Sequence, residues 1–263
     1  MAKIDLKGRV AVITGASLGI GRATALTMGR SGADVVVNYR SHEEEAEEVV
    51  RAIRDAGARA IKVQGDVAQQ NQVEQLIAAT VEEFGKVDIA VSNAAYSDRE
   101  LFTEINMEGF RRTVDVTMWG AFYLTRAAAQ QFIKQENGGV IAIVSSPHAF
   151  LPAPRSMAYN MSKAAIEHMS RTAAIELAEH NIRVNVIQPG WIDTPGERKF
   201  ASEETLKSAG KKIPLGRLGT PEEIGDGIAF LCDPEQPYMT GATLLIDGGI
   251  SLPWWANRGS AAP

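Results

Sequence analysis

Tyr159 and Lys163 stand four residues apart in the run Tyr159-Asn-Met-Ser-Lys163, and a helix beginning near Ser156 puts both on one face, over a common ligand. A phenol with a pKa of about 10 is a poor base at neutral pH. One positive charge about 4 Å away, in an effective dielectric of about 20, contributes roughly 4 kcal/mol, enough to lower that pKa by about three. The pair therefore points to proton transfer near neutral pH. Ser146, at the end of a strand-like run, can donate a hydrogen bond to the same substrate oxygen.

A second group precedes these in the chain. Thr14-Gly15-Ala16-Ser17-Leu18-Gly19-Ile20-Gly21 follows a short apolar run and opens directly into a helical stretch. Small residues in such a loop let backbone N–H groups approach an anion at the positive helix end, although three glycines can also simply make a tight turn. The glycine spacing, four then two, is not the GxGxxG of the long dinucleotide fingerprint.

Groups so far apart in sequence need a scaffold that gathers them on one edge. Short β-branched runs at 10–14, 34–38, 60–64, 88–92, 140–145, 183–188 and 243–246 alternate with helix-like stretches, which predicts an α/β fold: a Rossmann-type, doubly wound sheet of about seven parallel strands with helices on both faces. Helices are expected at 20–30, 43–56 and 69–84, the last two stopped by Gly57 and Gly85. The glycine loop, Ser146 and the Pro189-Gly190 pair then all fall at strand C-terminal ends, where open α/β sheets bind ligands. No repeat or linker divides the chain, so one domain is expected over 1–263, with an irregular excursion at 191–218 read as a substrate lid and a tail at 250–263.

Composition narrows the function classes. The 263 residues are 45% hydrophobic and 22% charged, with 27 basic against 32 acidic side chains and a net charge of -5, so there is no basic surplus of the kind a nucleic-acid binder shows. One cysteine, Cys232, and four histidines without metal-ligand spacing disfavour a metal site. No apolar run is long enough to cross a bilayer and the N-terminus shows no signal region, so a cytoplasmic protein is expected, with neither nucleic acid nor membrane as partner.

Together, Thr14 to Gly21, Ser92-Asn93-Ala94-Ala95, Ser146, Tyr159 to Lys163 and the run from Asn185 through Pro189-Gly190 to Thr194 resemble the short-chain dehydrogenase/reductase family over essentially the whole chain. Within it, Val35 to Ser41, Val63 to Val67, Ser145 to His148 and Asp247-Gly248-Gly249 are similar to the glucose 1-dehydrogenase subgroup. The resemblance implies Tyr159 as acid/base, Lys163 as the residue that lowers its pKa and holds the nicotinamide ribose, and Ser146 as the group that steadies the substrate oxygen. It also implies a cofactor site: Gly15, Ser17, Gly19 and Ile20 at ribose and pyrophosphate, Asp66 and Val67 at the adenine, Asn93 with Ala94 and Ala95 beside the fourth strand, and Pro189, Gly190, Ile192 and Thr194 at the nicotinamide.

Several positions depart from the family pattern. Ala95 stands where the family usually has glycine, and Thr117 where its catalytic tetrad has asparagine, which puts the proton relay in question; the Thr117 carbonyl and a hydroxyl bonded back to the helix would give an active but slower enzyme. NAD-specific relatives end the second strand with an acidic residue, but here stand Tyr39, Arg40 and Ser41, which favours NADP with NAD possible, although Leu18 occupies a place where NADP-selective relatives often carry a base. His148 and Trp191 are placed at the substrate, with incidental packing as the alternative for each.

The expected activity is hydride transfer between nicotinamide and a small-molecule secondary alcohol or ketone, with a sugar or polyol such as glucose foremost. Reduction of a 3-oxoacyl thioester and a non-catalytic nucleotide-binding role are the alternatives. The resemblance implies a homotetramer, and Leu252-Pro253-Trp254-Trp255 is aromatic enough to be expected on a neighbouring subunit.

Overall fold

The computed structural model describes residues 4–252. Seven strands form one parallel sheet: β1 (Val10–Ile13), β2 (Asp34–Tyr39), β3 (Ala60–Gln64), β4 (Ile89–Ser92), β5 (Gly139–Val144), β6 (Ile182–Pro189) and β7 (Thr243–Ile246). Their spatial order, β3-β2-β1-β4-β5-β6-β7, reverses direction between β1 and β4, and a crevice opens there at the strand C-termini. All seven coincide with the expected strands to within a residue or two.

Near-continuous apolar strands require cover on both faces, and the side chains of each strand divide accordingly. Ala11, Ile13, Val35 and Val37 face one core, built with Met28 of α1 (Gly19–Arg30), Ile53 of α2 (Glu43–Asp55) and Ile224, Ile228 and Leu231 of α8 (Pro221–Cys232). Val12, Val36, Ile141 and Ile143 face the other, with Leu76 of α3 (Gln70–Phe84), Leu124 and Phe132 of α5 (Gly120–Gln135) and Ile166 of α6 (Met157–Leu177). Helices α1 and α8 meet backbone to backbone: a Cβ on Gly225 would lie 3.1 Å from the Ala23 carbonyl and the Thr24 nitrogen.

Two irregularities bear on the site. The helix α4 (Met107–Val114) runs into α5 through one wider π turn at Asp115–Trp119, where Gly120 N–H donates to the Asp115 carbonyl, five residues back. The excursion after β6 is closed at its base by Gly219, which donates to the Trp191 carbonyl at 3.0 Å and accepts from Asp193 N–H at 2.8 Å. It contains a short 3-10 turn at Glu197–Lys199 and the helix α7 (Glu203–Gly210), whose start is capped by Ser202. The tail beyond Leu252, with Trp254 and Trp255, lies outside the described residues.

Helix α8 begins with a reciprocal cap, in which Thr220 Oγ1 accepts from Glu223 N–H and the Glu223 carboxylate accepts from Thr220 N–H. Thr220→Ala removes one half of it. A loss of about 1 kcal/mol is expected, read as a fall in Tm of about 2 to 4 °C for a chain of this size.

Candidate active site

The glycine loop is held open by its neighbours. Asn38 of β2 accepts from Gly15 N–H at 3.3 Å, and Asn93 at the end of β4 donates through Nδ2 to the carbonyls of Thr14 and Gly15 at 2.9 and 3.1 Å. Thr14 Oγ1 in turn accepts from the backbone N–H of Asn93 and Ala94. Gly15 and Gly19 sit at φ +61° and +54°, where L side chains are strained, and a Cβ on Gly21 would come within 2.3 Å of the Gly15 carbonyl oxygen. All three glycines are therefore demanded by the geometry.

Leu18, the residue before α1, offers no side-chain cap, and the first turn holds no acidic residue. The helix N-terminus thus presents its N–H groups to the crevice, which fits the pyrophosphate of a dinucleotide. Thr194 closes this crevice from the far side, with its Cβ and Cγ2 3.4 Å from where a Gly19 side chain would begin. Ile192 anchors the start of the excursion by pairing with Gly219, and Pro189-Gly190 ends β6 so closely against β7 that a Gly190 Cβ would meet Asp247 Cα at 2.5 Å.

Around this cradle the other expected contacts take up distinct roles. Ser17 is buried and Ile20 half-buried beside the loop, Val67 packs against Gly120, and Ala95 is exposed. Asp66 is fixed by Arg112 Nη2 at 2.8 Å and by Ala68 N–H at 3.0 Å. The Tyr39 ring is in the core, beside Glu43, which leaves Arg40 and Ser41 as the exposed side chains at the end of β2. The Arg40 guanidinium has no partner among the described residues.

The proton-transfer groups meet at the ends of β5 and α6. Ser146 follows β5 and caps the short turn Pro147–Ala149, its Oγ accepting from His148 N–H at 3.3 Å. Tyr159 and Lys163 lie one turn apart on α6. The Lys163 side chain is 2% exposed, donates from Nζ to the Val144 carbonyl at 2.6 Å and lies 5.2 Å from the Tyr159 ring centre. His148 stands edge-on to the Tyr159 ring with centres 5.6 Å apart, and its Nδ1 is buried without a partner among the described residues. Burial, helped by the Arg99 and Lys163 charges, lowers the His148 pKa and keeps the ring neutral.

The charges differ from the sequence-based expectation in one respect. In the ligand-free site the phenol pKa is not brought down to neutral pH: burial pushes the Tyr159 hydroxyl up to about 12 and Glu197 adds to the rise, while Ser146 and Arg99 pull the other way. Burial also draws Lys163 down to about 7, against the upward pull of Glu167. Desolvation disfavours the charged form of each group, and the simple charge-pair argument left it out.

Thr117 also departs from expectation. Its hydroxyl does not bond back to its own helix; it reaches across from the π turn, donating to the Tyr96 carbonyl at 2.8 Å and accepting from Tyr96 N–H at 3.0 Å. The side chain thereby ties α4 and α5 to the loop after β4. Trp191 is not simply a pocket floor, since its Nε1 donates to Glu197 at 3.0 Å and braces the excursion. The other Glu197 oxygen meets Arg99 at 3.5 Å, and the Arg99 guanidinium lies 3.9 Å over the Phe200 ring. Sequence reasoning missed Arg99, Glu197 and Phe200, which lie in irregular segments without spacing to mark them. Tyr96 was missed for the same reason, and Asn38, on β2, because its bond to Gly15 joins residues 23 apart in the chain.

Thr117→Val keeps the shape and removes the hydroxyl, leaving the Tyr96 N–H and carbonyl unpaired on a part-buried loop. Thermal denaturation is expected to show a loss of about 1 to 2 kcal/mol. An unchanged Tm would mean that the two bonds carry no load.

The family described as Enoyl-(Acyl carrier protein) reductase matches residues 15–251. The chain is 41% identical to 3beta-hydroxysteroid dehydrogenase 1 of Eggerthella lenta over 249 residues, covering 94% of this chain and 95% of that one. It is 36% identical to Glucose 1-dehydrogenase 2 of Bacillus subtilis, again over 249 residues, covering 94% and 96%. Among solved structures, a short-chain type dehydrogenase/reductase from Mycobacterium marinum superposes with a TM-score of 0.90 at 36% identity, covering 95% of this chain and 98% of that one. Matches of this extent, over a fold that carries Ser146, Tyr159 and Lys163 beside a glycine cradle, make the chain an NAD(P)-dependent oxidoreductase that belongs to the short-chain dehydrogenase/reductase family.

Proposed function

We propose that the protein interconverts a secondary alcohol and a ketone, using NADP in preference to NAD, with Tyr159 as the proton carrier. The observation that carries this reading is the convergence of Ser146, Tyr159 and Lys163 at the strand ends next to the cradle formed by Gly15, Gly19 and Gly21. When bound there, the nicotinamide supplies or accepts the hydride at the substrate carbon. The protein's own work is positioning and proton transfer. In reduction, Ser146 Oγ donates a hydrogen bond to the carbonyl oxygen and Tyr159 Oη delivers its proton to that oxygen as the hydride arrives at carbon; in oxidation the same atoms act in reverse. The protonated phenol of the ligand-free site is ready for the reductive direction, and the Lys163 ammonium offsets the phenolate that remains.

Arg40, exposed at the end of β2, is the group suited to a 2'-phosphate on the adenosine ribose. Thr117 keeps the loop at Tyr96 in place in the position of the family asparagine. Residues 191–218 act as the substrate lid, tied across the mouth by Glu197 and Arg99. A sugar or polyol is the leading substrate class, supported by the named activity of the Bacillus relative and by the polar groups His148, Arg99 and Glu197 at the mouth. The acyl-carrier-protein description of the family supports a second reading, reduction of a 3-oxoacyl thioester. A homotetramer is supported by the exposed Trp119, Phe122, Met161 and Ile175 on and beside α5 and α6. A cytoplasmic setting agrees with the lack, among the described residues, of any helix long and apolar enough to cross a membrane.

Glucose oxidation and acetoacetyl-thioester reduction, followed by nicotinamide absorbance, separate the two substrate classes. Tyr159→Phe is expected to lose most turnover, by about 100-fold or more, with cofactor affinity nearly unchanged. Near-normal turnover would end its role as proton carrier. Cofactor binding to the wild type without turnover over a broad carbonyl panel would favour the non-catalytic reading.

Arg40→Ala is expected to weaken NADP binding by about tenfold or more while leaving NAD nearly untouched, consistent with loss of a charge-assisted bond. Titration of both cofactors checks this. An unchanged affinity ratio would remove Arg40 from the cofactor site.

A further inference from the structure

Glu167 is a buried carboxylate that the proton-transfer scheme leaves unused. It lies one helical turn beyond Lys163 on the inward face of α6 and is 6% exposed. Its carboxylate accepts a hydrogen bond from Gln188 Nε2, on the residue before Pro189 in β6, and meets Arg171 Nη2 at 3.5 Å one turn further along. Gln188 is buried as well, whereas more than half of the Arg171 side chain is in water. A carboxylate so far from solvent requires hydrogen bonds and a compensating charge. The amide supplies the first. A screened guanidinium at the rim supplies little of the second, and Lys163 is the buried cation on the same face.

We propose that Glu167 is a positioning residue for the proton transfer: its carboxylate, oriented by Gln188, holds the positive charge on Lys163. The inference rests on the roles given above to Tyr159 and Lys163. A neutral lysine would leave nothing to offset the phenolate when Tyr159 gives up its proton. Burial alone favours that neutral form, and Glu167 is the group that opposes it. The other titratable or charged groups facing the pair are Tyr159 and Arg171 on α6, His148 on the turn after β5 and, across the mouth, Arg99 and Glu197 acting through Tyr159. Removing the Glu167 charge therefore makes Lys163 lose its proton at lower pH.

The test is the titration midpoint of Lys163 in cofactor-free protein, read by NMR of the labelled lysine side-chain carbon, beside the pH dependence of ketone reduction. Glu167→Gln keeps an amide oxygen toward Gln188 and deletes the charge. The midpoint is expected to fall by about one pH unit. The reduction kcat at about pH 8 is expected to fall about tenfold, with KM for the ketone unchanged and Glu167→Asp restoring most of the loss. An unmoved midpoint in Glu167→Gln overturns the proposal, because a purely structural carboxylate would alter thermal stability alone. Should that variant not fold, an unmoved midpoint in Glu167→Met, which removes the charge at similar volume, overturns it instead. The NMR titration needs no turnover, so a wild type that transfers no hydride refutes the oxidoreductase reading of this site while the midpoint still decides the role of Glu167.

Discussion

Taking the Lys163 ammonium out of water costs several kcal/mol, and the elements around it are arranged to offset that cost. Helix α6 packs on β6, Lys163 Nζ reaches the Val144 carbonyl at the end of β5, and one turn further along the helix Glu167 meets Gln188 of β6. The same packing buries the phenol one turn earlier. A charge kept at the limit of its stability responds to small changes in its surroundings, and that makes this lysine useful where a proton must move.

The cofactor cradle follows a different constraint, the reversal of strand order between β1 and β4. The connections leaving β1 and β4 run to opposite sides there, and the loop after β1 must turn sharply into α1 with its N–H groups facing the gap. Glycine at positions 15, 19 and 21 makes the turn possible. Asn38 and Asn93, one on each neighbouring strand, keep it from collapsing, and Thr14 ties it to the end of β4. Gly225 lets α8 lie against α1 so closely that the helix bearing the cradle is braced from behind.

Proton site and cradle are joined by irregular chain. Thr117 couples the π turn to the loop after β4, and Glu197 couples Trp191 to Arg99 across the mouth. These links are few and partly exposed, as expected of segments that must let substrate in and product out. Glu197 and Arg99 also act with opposite sign on the Tyr159 hydroxyl, so a change in how the mouth is closed is felt at the reacting proton.

Much of this was legible in the sequence. The alternation of apolar strands with amphipathic helices determined the sheet and its strand limits, because burial on both faces leaves little choice of residue. Gly15, Gly19 and Gly21, Ser146, Tyr159 and Lys163 could be named from spacing, since a strand-end loop and an i to i+4 helical pair are local geometry. Tertiary structure decided what depends on neighbours distant in the chain. The Thr117 hydroxyl found Tyr96 rather than its own helix, Tyr39 turned into the core and left Arg40 outside, and Arg99 met Glu197 across 98 residues. The clearest case is the protonation of Tyr159 and Lys163. Spacing put a charge beside a phenol, but the low dielectric of the packed interior set which form of each is stable, and desolvation is a property of the assembled fold rather than of any run of residues.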